Sequence, residues 1–339
     1  MSSHLQVFRR TVVEGRFVTF PAASVIIGMR FLLFQQTEVL VPASPGGSHL
    51  WKFLSPLFAV PLNSLVASTL AVLLIATLIR AINNRFALIR TRSNLPFIAP
   101  LLLLSLHPRF LVMTPALAAV IIVLLAFFPL LQSYQKPEAY LCSFRSGILI
   151  AVASLFHIGA LALVPFWWRG ERSMRGPQLR AFSSFLFGIL LVGFSLFSSY
   201  FLLGDISGFL YPFHFYTTLS LPAIPDYSLA EWVALLLVTL FFVSNMMLST
   251  RVYSRDKVLT LTLMRFVVYL VVFLLLLQVI YWSRTLFFLT LAITLVSYLN
   301  AYFYTRTTAR SGVWLAYLNL GLMLLFYLFH FSPFRQLLD

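Results

Sequence analysis

Four ionisable residues stand at breaks between apolar runs, and they are the side chains of this chain that could do chemistry. His107 and Arg109 follow a short apolar run, and His157 interrupts a longer one. A guanidinium with two imidazoles could bind a phosphate or pyrophosphate group through charge-assisted hydrogen bonds. Glu38 is the only acid between the first two long apolar runs, and it could accept a proton as a general base.

Each of these residues also has an ordinary interpretation. The tripeptide His107-Pro108-Arg109 could be an exposed turn, and a lone acid in a loop is usually only solvated. Arg30, within the first apolar run, could extend its side chain to the headgroups, as long cationic side chains do near membrane surfaces. The sequence favours this interpretation for Arg30 and leaves both alternatives open for Arg109. For Glu38 and for each histidine taken alone, it favours the ordinary interpretation.

Composition defines the environment in which these residues must be positioned. The chain has 339 residues, of which 60% are hydrophobic and only 10% are charged, too few to cover the surface of a soluble protein. Bilayer hydrocarbon is about 30 Å thick, so a spanning helix needs roughly 20 mostly apolar residues. Apolar runs near this length recur along the chain, which predicts an all-α, polytopic transmembrane bundle.

Charge and motifs narrow the classes of function. The formal net charge of +15 comes largely from short loops between apolar runs, so it indicates membrane orientation and not nucleic-acid binding. The chain has no Walker, GxGxxG, HExxH or CxxC motif, so we expect neither a cofactor nor a metal. The single cysteine, Cys142, allows no disulfide within the chain.

The hydropathy pattern predicts eleven membrane helices. Residues 95–106 form one short helix, and residues 141–168 form two that turn near His157, either crossing twice or re-entering. With this count the strongly basic loops lie on one side, which places the N-terminus in the cytoplasm and the C-terminus in the periplasm. The remaining eight helices are clear spans: Phe17–Phe34, Pro56–Ile79, Pro115–Leu131, Phe182–Leu203, Leu229–Leu248, Phe266–Trp282, Leu286–Tyr304 and Val313–Phe331.

The order of these elements resembles the GT-C superfamily, the membrane glycosyltransferases that use polyprenyl-phosphate-linked sugars. In that fold a first helix leads to an external loop with an acid and an interfacial helix, and then to a basic loop and two hairpins of short helices. The counterparts here occupy residues 17–168, with an interfacial stretch at 48–54. Residues 147–157 look like the glycine-led hairpin helix of those enzymes. The resemblance implies that Glu38 is the catalytic base and that His157 faces the lipid phosphate.

A second, more local resemblance is to an uncharacterised multi-pass family of Bacteroidota. It rests on Asn83-Asn84-Arg85 followed by Ser93-Asn94-Leu95-Pro96, and on Ser105–Pro108 before Thr114-Pro115. These short motifs support the same multi-pass architecture.

Two hypotheses for function follow. The first is a divergent glycosyltransferase at the outer face of the bacterial inner membrane, in which Arg109, His107 and His157 hold the phosphate of a polyprenyl-linked donor. The second is a non-catalytic scaffold or assembly component of envelope biogenesis, and a transporter is a weaker third. We expect membrane lipid as a partner and no nucleic acid, and the sequence indicates no protein partner.

The predicted domain organisation is one continuous membrane domain without a soluble domain. Residues 1–168 form the GT-C-like module with helices 1–6, and residues 169–339 form helices 7–11.

Overall fold

The computed structural model describes residues 13–15, 19–36, 47–89, 91, 93–136, 138–217, 232–233, 235–244, 257–281, 285–307, 310–328 and 330. Within these ranges the regular elements are helices, which confirms the all-α class. Every predicted membrane segment has a helical counterpart. Six of the described helices are long and apolar enough to cross a membrane, as expected of a multi-pass membrane protein. The number of eleven crossings stays a prediction.

Helices are numbered here along the described chain. Four short 3₁₀ helices lie between them, at Ser55–Phe58, Pro108–Phe110, Ile158–Leu163 and Tyr211–Phe213. The α-helices are α1 Thr19–Gln36, α2 His49–Leu54, α3 Pro61–Phe86, α4 Leu95–Leu103, α5 Pro115–Gln132, α6 Tyr140–Phe156, α7 Val164–Arg175, α8 Leu179–Leu202, α9 Ile206–Leu210, α10 His214–Thr217, α11 Leu235–Ser244, α12 Val258–Ile280, α13 Phe287–Arg306 and α14 Arg310–Leu328.

Several helices extend beyond the ends of their apolar runs. The α3 helix continues past Ile79 to Phe86, and α12 begins at Val258, eight residues before the predicted start at Phe266. The prediction that the basic residues lie in loops between apolar runs is therefore wrong for those inside these two helices. Hydropathy marks where a helix meets hydrocarbon, whereas the backbone hydrogen bonds continue into the polar region beyond it.

The first hairpin joins a very short helix to a full-length one. The α4 helix has nine residues and therefore rises only about 14 Å, less than half of the hydrocarbon thickness. The chain then turns through residues 104–114, where His107, Pro108 and Arg109 were predicted to lie. The α5 helix begins at Pro115, and the Thr114 side chain accepts a hydrogen bond from the Leu117 N–H, which makes Thr114 its N-cap.

The second hairpin is held together by hydrogen bonds at its open end, where α6 begins and α7 ends. The α6 helix ends at Phe156 and the chain returns through the 3₁₀ helix and α7. At the open end, Arg175 donates to the Ala139 carbonyl at 2.9 Å and pairs with Glu171 at 3.1 Å. These contacts bring residue 139 next to residue 175, so the predicted hairpin is confirmed and a single long helix over residues 141–168 is excluded.

Two glycines allow α6 and α8 to pack closely. A Cβ atom on Gly147 would lie 2.1 Å from the Phe185 carbonyl oxygen, and one on Gly188 would lie 2.4 Å from the Phe144 carbonyl oxygen. The two backbones therefore approach through their glycines, as small residues permit in membrane helix pairs. This contact packs the second hairpin against α8. Only 11% of the apolar, membrane-spanning stretch of α8 is buried within the protein.

The bundle has a basic end and a histidine end. At the basic end, Arg85 lies 5.8 Å from the ring centroid of Phe128 on α5. At the other end, His330 just beyond α14 contacts His107, with their ring centroids 5.6 Å apart. Since α14 begins at Arg310, its cation lies at the end opposite the hairpin turns. By the positive-inside rule the basic end is predicted to be cytoplasmic, and this orientation stays a prediction.

The glycine contact predicts opposite effects for two alanine substitutions on one helix. Gly188→Ala should lower the free energy of unfolding by about 1–3 kcal/mol, since the new methyl group overlaps a backbone oxygen. Gly193→Ala adds a methyl group that meets nothing within 4 Å, and alanine favours the helix, so stability should stay equal or rise. Unfolding temperatures in detergent would measure both, and equal effects would contradict the close packing.

The orientation predicts which cysteines an impermeant reagent can label from outside. In a variant lacking Cys142, cysteines at the exposed positions Arg85 and Arg172 should remain unlabelled in intact cells. Cysteines at the exposed positions Lys52 and Thr217, near the histidine end, should react. Labelling at position 172 but not at 52 would show that the orientation is reversed.

Candidate functional site

The turn between α4 and α5 is held by a buried arginine from α1. The Arg30 guanidinium donates to the main-chain carbonyls of Leu104 at 3.1 Å and Phe110 at 2.8 Å. It also donates to the hydroxyls of Ser68 at 2.8 Å and Thr69 at 3.1 Å on α3. Arg30 is 1% exposed, so the prediction that it extends to the headgroups is wrong. Its hydrogen bonds replace water for a cation inside the bundle.

Serines of α3 satisfy further backbone groups of the same turn. The Ser68 hydroxyl donates to the Leu111 carbonyl at 2.6 Å, and the Ser64 hydroxyl accepts from the Met113 N–H at 2.8 Å. Non-helical backbone at membrane depth persists only where protein or trapped water satisfies its polar groups. Arg30 and the two serines therefore fix the path of the turn that carries His107 and Arg109.

His107 caps the short 3₁₀ helix within this turn. Its Nδ1 atom accepts the Arg109 N–H at 3.2 Å, so in the neutral ring the proton is on Nε2. The ring stacks against Phe326 with the two planes 19° apart, and it meets His330 edge-on. The Arg109 side chain is exposed. The turn thus presents one guanidinium and one half-buried imidazole at the histidine end of the bundle.

These two residues line a cavity that is otherwise almost entirely apolar. The cavity contains about 720 Å³ of space, part of it open to the surroundings. Among the described residues, Gln278 on α12 is the one polar lining residue besides His107 and Arg109. The apolar lining residues come from the α4 end, α11, α13 and α14: Leu103, Leu106, Phe110, Leu235, Leu237, Val238, Phe241, Leu286, Leu289, Ile293, Met323 and Phe326. An apolar chamber with cationic and amide groups suits an amphipathic ligand.

His157 lies in the protein interior and is held on both of its ring nitrogens. Nδ1 accepts the Gly159 N–H at 3.1 Å, so the neutral ring carries its proton on Nε2, 2.7 Å from the Thr285 hydroxyl. The ring stacks on Phe287 with centroids 5.1 Å apart. His157 is 3% exposed and does not line the cavity. A direct contact with a ligand phosphate would require one of these hydrogen bonds to break.

Gln278 connects the His157 region to the cavity wall. Its amide nitrogen donates to the Thr285 carbonyl at 2.9 Å, and its amide oxygen accepts the Leu289 N–H at 3.0 Å. Gln278 therefore joins the end of α12 to the start of α13. Because Thr285 also bonds His157, the hydrogen bonds of Gln278 link a residue of the cavity wall to the second hairpin turn.

The two hairpin turns share a local design. The sequences Leu104-Ser105-Leu106-His107 and Ala153-Ser154-Leu155-Phe156-His157 resemble each other, although so short a match alone predicts nothing. In both, the histidine Nδ1 accepts the N–H two residues later and caps a 3₁₀ helix. In both, the preceding serine donates to a carbonyl of its own helix. Similar local chemistry thus begins the 3₁₀ helix of each turn.

The proposed base lies outside the part of the chain that the structure describes. Glu38 falls between residues 36 and 47, so its distance to the cavity stays untested. Asp205, a carboxylate within the described ranges, caps α9 and accepts from the Gly208 N–H at 2.8 Å. That hydrogen bond lowers the pKa of Asp205. In the described residues, no group of three or more His, Cys, Asp or Glu could hold a metal ion.

The sequence analysis missed the side chains that position the site. Arg30 and its acceptors on α3 lie in different apolar runs, and their pairing requires a tertiary contact. One signal was present, since Ser64, Ser68 and Thr69 place three hydroxyls within two turns of an apolar helix. Residues four apart share a helix face, so Ser64 and Ser68 indicated a polar stripe facing protein.

Comparisons with known proteins identify no family for this chain. No protein-family model matches the chain, and neither a curated protein nor a solved structure matches it. The argument for function therefore rests on the cavity and on the residues that line it.

The buried arginine predicts a large loss of stability on substitution. Arg30→Met leaves the Leu104 and Phe110 carbonyls without their donor, which should cost about 2–5 kcal/mol of unfolding free energy. Arg80→Met, an exposed cation on α3, should change stability by less than about 0.5 kcal/mol. Thermal unfolding in detergent would measure both, and similar small shifts would show that Arg30 does not hold the turn.

Proposed function

We propose that this multi-pass membrane protein binds a lipid with a phosphate headgroup at the histidine end of the bundle. The observation that carries the proposal is the position of His107 and Arg109 on the rim of an apolar cavity between helices. A lipid tail can occupy the apolar part while its headgroup stays at the polar rim. A water-soluble anion has no apolar part that could pack against the apolar walls.

The rim residues suit a phosphate oxygen in charge and hydrogen bonding. Arg109 is a permanent cation whose planar guanidinium can donate two parallel hydrogen bonds to a phosphate. His107 accepts a backbone N–H through Nδ1, so Nε2 is the nitrogen from which it can donate. His157 is engaged by Gly159 and Thr285, so in this proposal it supports the wall and does not bind the phosphate.

The finer form of the proposal is a divergent glycosyltransferase of GT-C type at the outer face of the bacterial inner membrane. Its donor would be a sugar linked to polyprenyl phosphate. An acceptor hydroxyl would attack the anomeric carbon and give its proton to Glu38. The bond from the sugar to the lipid phosphate would break, and the phosphate would leave with the bonding electrons while Arg109 stabilises its charge.

A non-catalytic lipid-binding scaffold of envelope biogenesis is the alternative. One observation favours it, because no carboxylate is among the described residues that line the cavity. An enzyme of the proposed type requires Glu38 or another base to reach the site, whereas a scaffold requires only the lipid contact. Substitution of Glu38 therefore separates the two.

Lipid binding can be tested with two cations from the same end of the bundle. Arg109→Ala should weaken binding of undecaprenyl phosphate in nanodiscs by about tenfold or more, since a charged hydrogen-bond donor is lost. Lys52→Ala is the matched control, because Lys52 lies over the Tyr211 ring at 4.9 Å and does not line the cavity. Its affinity should stay within about twofold of the original protein. Equal losses would contradict a specific Arg109 site.

The enzyme form predicts that Glu38→Gln abolishes activity and leaves binding intact. The substitution removes the base while keeping its size, so sugar transfer should fall about 100- to 10,000-fold. Undecaprenyl phosphate affinity and the unfolding temperature should be unchanged, since the sequence predicts a loop at Glu38. A Glu38→Gln variant that fully restores a deletion strain would exclude this mechanism and favour the scaffold.

A further inference from the structure

A second cavity lies beside the other hairpin, between α2, α6, α8 and α9. It contains about 370 Å³ of space, part of it open to the surroundings, and it shares no lining residue with the first cavity. Among the described residues that line it, His49 and Ser154 are the two with polar side chains. The Ser154 hydroxyl donates to the Ala151 carbonyl at 2.6 Å. Of the two polar side chains, His49 is therefore the one available to a ligand.

The His49 ring is held in the wall of this cavity by α8 and α9. Its Nδ1 atom lies 3.2 Å from the Tyr200 hydroxyl, and the two rings meet edge-on with centroids 5.1 Å apart. The imidazole also stacks on Phe209, with the two planes 21° apart. Next to it, the Ser48 N–H donates to the Phe156 carbonyl at 2.9 Å, which joins the start of α2 to the end of α6. The ring position is thus fixed by the protein itself.

The other ring nitrogen, Nε2, is buried and has no hydrogen-bond partner among the described residues. Burial, together with the nearby cation Lys52, lowers the pKa of His49 to about 4, so the ring is neutral at pH 7. A phenol is the better donor of the pair and an imidazole nitrogen the better acceptor. We therefore assign the Tyr200 hydrogen to the bond with Nδ1, and the ring proton to Nε2. A buried N–H without an acceptor costs free energy, and an acceptor atom in the cavity would remove that cost.

The cavity walls indicate what kind of acceptor this is. No charged residue is among the described residues that line the cavity, so a phosphate or a free carboxylate would lose its hydration without gaining a cation. A neutral carbonyl oxygen on an apolar chain suits both the imidazole N–H and the apolar walls. Ester-linked acyl chains of membrane lipids have this chemistry. Their carbonyls lie at the boundary between headgroups and hydrocarbon, which is also the depth of an interfacial helix such as that predicted at residues 48–54.

The cavity adjoins the lipid-facing side of α8. Ile189, Gly193 and Leu196 line it at the spacing of one helix face. Leu190 and Phe194, each one position further along, are 64% and 70% exposed. A chain can therefore pass from the bilayer into the cavity along an apolar edge of α8. A Cβ atom on Gly193 would meet nothing within 4 Å, so the space beside this residue is open.

We infer that this cavity is a second lipid site, which binds one acyl chain of a membrane phospholipid with its ester carbonyl hydrogen-bonded to His49 Nε2. The site goes beyond the one proposed at Arg109, because the two cavities share no lining residue. Their chemistry also differs: the first presents a cation to a charged headgroup, and the second presents a neutral N–H to an ester. The bound chain fills the space between α6 and α8 beneath the short α2 helix.

The test measures where an acyl chain binds and whether its ester carbonyl contributes. Phosphatidylglycerol with a photoreactive acyl chain, added to the intact protein in detergent, should crosslink to residues 151–158 in the cavity wall. Competition by unlabelled lipids then gives relative affinities. Ester-linked phosphatidylglycerol should compete about fivefold better than an ether-linked analogue with the same headgroup and chain length, since the analogue lacks the carbonyl that accepts the hydrogen bond. Palmitic acid, the same chain with a free carboxylate, should compete more weakly than either.

Two substitutions separate the hydrogen bond from the cavity. His49→Phe keeps an aromatic ring but removes the N–H, so ester and ether lipids should compete equally. Gly193→Leu fills the cavity and should lower the crosslinking at residues 151–158 about tenfold, since the contacts of the chain are lost. Gly321→Leu on α14 is the matched control, because a Cβ atom there also meets nothing within 4 Å and Gly321 does not line the cavity. It should leave the crosslinking unchanged, and unfolding temperatures would show that each variant folds.

Several outcomes would overturn the inference. On the unmodified protein, these are equal competition by ester and ether lipids, or stronger competition by palmitic acid, which would identify a fatty acid as the ligand. On folded variants, they are a His49→Phe protein that keeps the ester preference, or a Gly193→Leu protein that crosslinks as Gly321→Leu does.

Failure of this inference and failure of the proposed function are distinguishable. Arg109→Ala should leave the crosslinking at residues 151–158 unchanged, and His49→Phe should leave undecaprenyl phosphate affinity unchanged. If Arg109→Ala has no effect on undecaprenyl phosphate binding, the proposed function fails and the second lipid site stands. If Arg109→Ala abolishes the crosslinking as well, the second site is not independent and the inference fails.

Discussion

A polypeptide that breaks its helix within a membrane must still satisfy the backbone groups that the break exposes. In this protein the Arg30 guanidinium meets that constraint for the turn between α4 and α5, with donors to two main-chain carbonyls and to hydroxyls of α3. The short α4 helix can end inside the bundle because this arginine takes the place of water. The space beyond the end of α4, between α13 and α14, then becomes the cavity on whose rim Arg109 lies.

The second hairpin uses the same capping chemistry with a different result. His157, like His107, caps a 3₁₀ helix through its Nδ1 atom. Its ring, however, stacks on Phe287 and is bonded to Thr285. One histidine turn therefore faces a cavity, while the other is linked to the wall of that cavity through Thr285 and Gln278. Such a division is typical of binding sites, in which a few exposed polar groups depend on a larger set of satisfied, buried ones.

The sequence predicted the features that depend on residues close together in the chain. Every predicted membrane segment is helical and the second hairpin turns at His157, because hydropathy and its interruptions are set by residues close together in the chain. The Arg30 bonds, the Gly147–Gly188 approach and the two cavities depend on contacts between distant segments, which periodicity cannot supply. For the site, the sequence identified Arg109 and His107 as exceptional residues but could not place them on a common cavity. The role of Glu38 stays a prediction.

The partners of Arg30 also constrain the order in which the chain is assembled. Ser68 and Thr69 follow Arg30 by 38 and 39 residues, and the Phe110 carbonyl follows it by 80. During synthesis α1 therefore leaves the ribosome long before the groups that accept its hydrogen bonds exist. A lone arginine at the centre of a spanning helix costs about 2.5–3.5 kcal/mol on insertion scales. The nascent first helix should thus remain beside the translocon, partly hydrated, until the turn after α4 has been made.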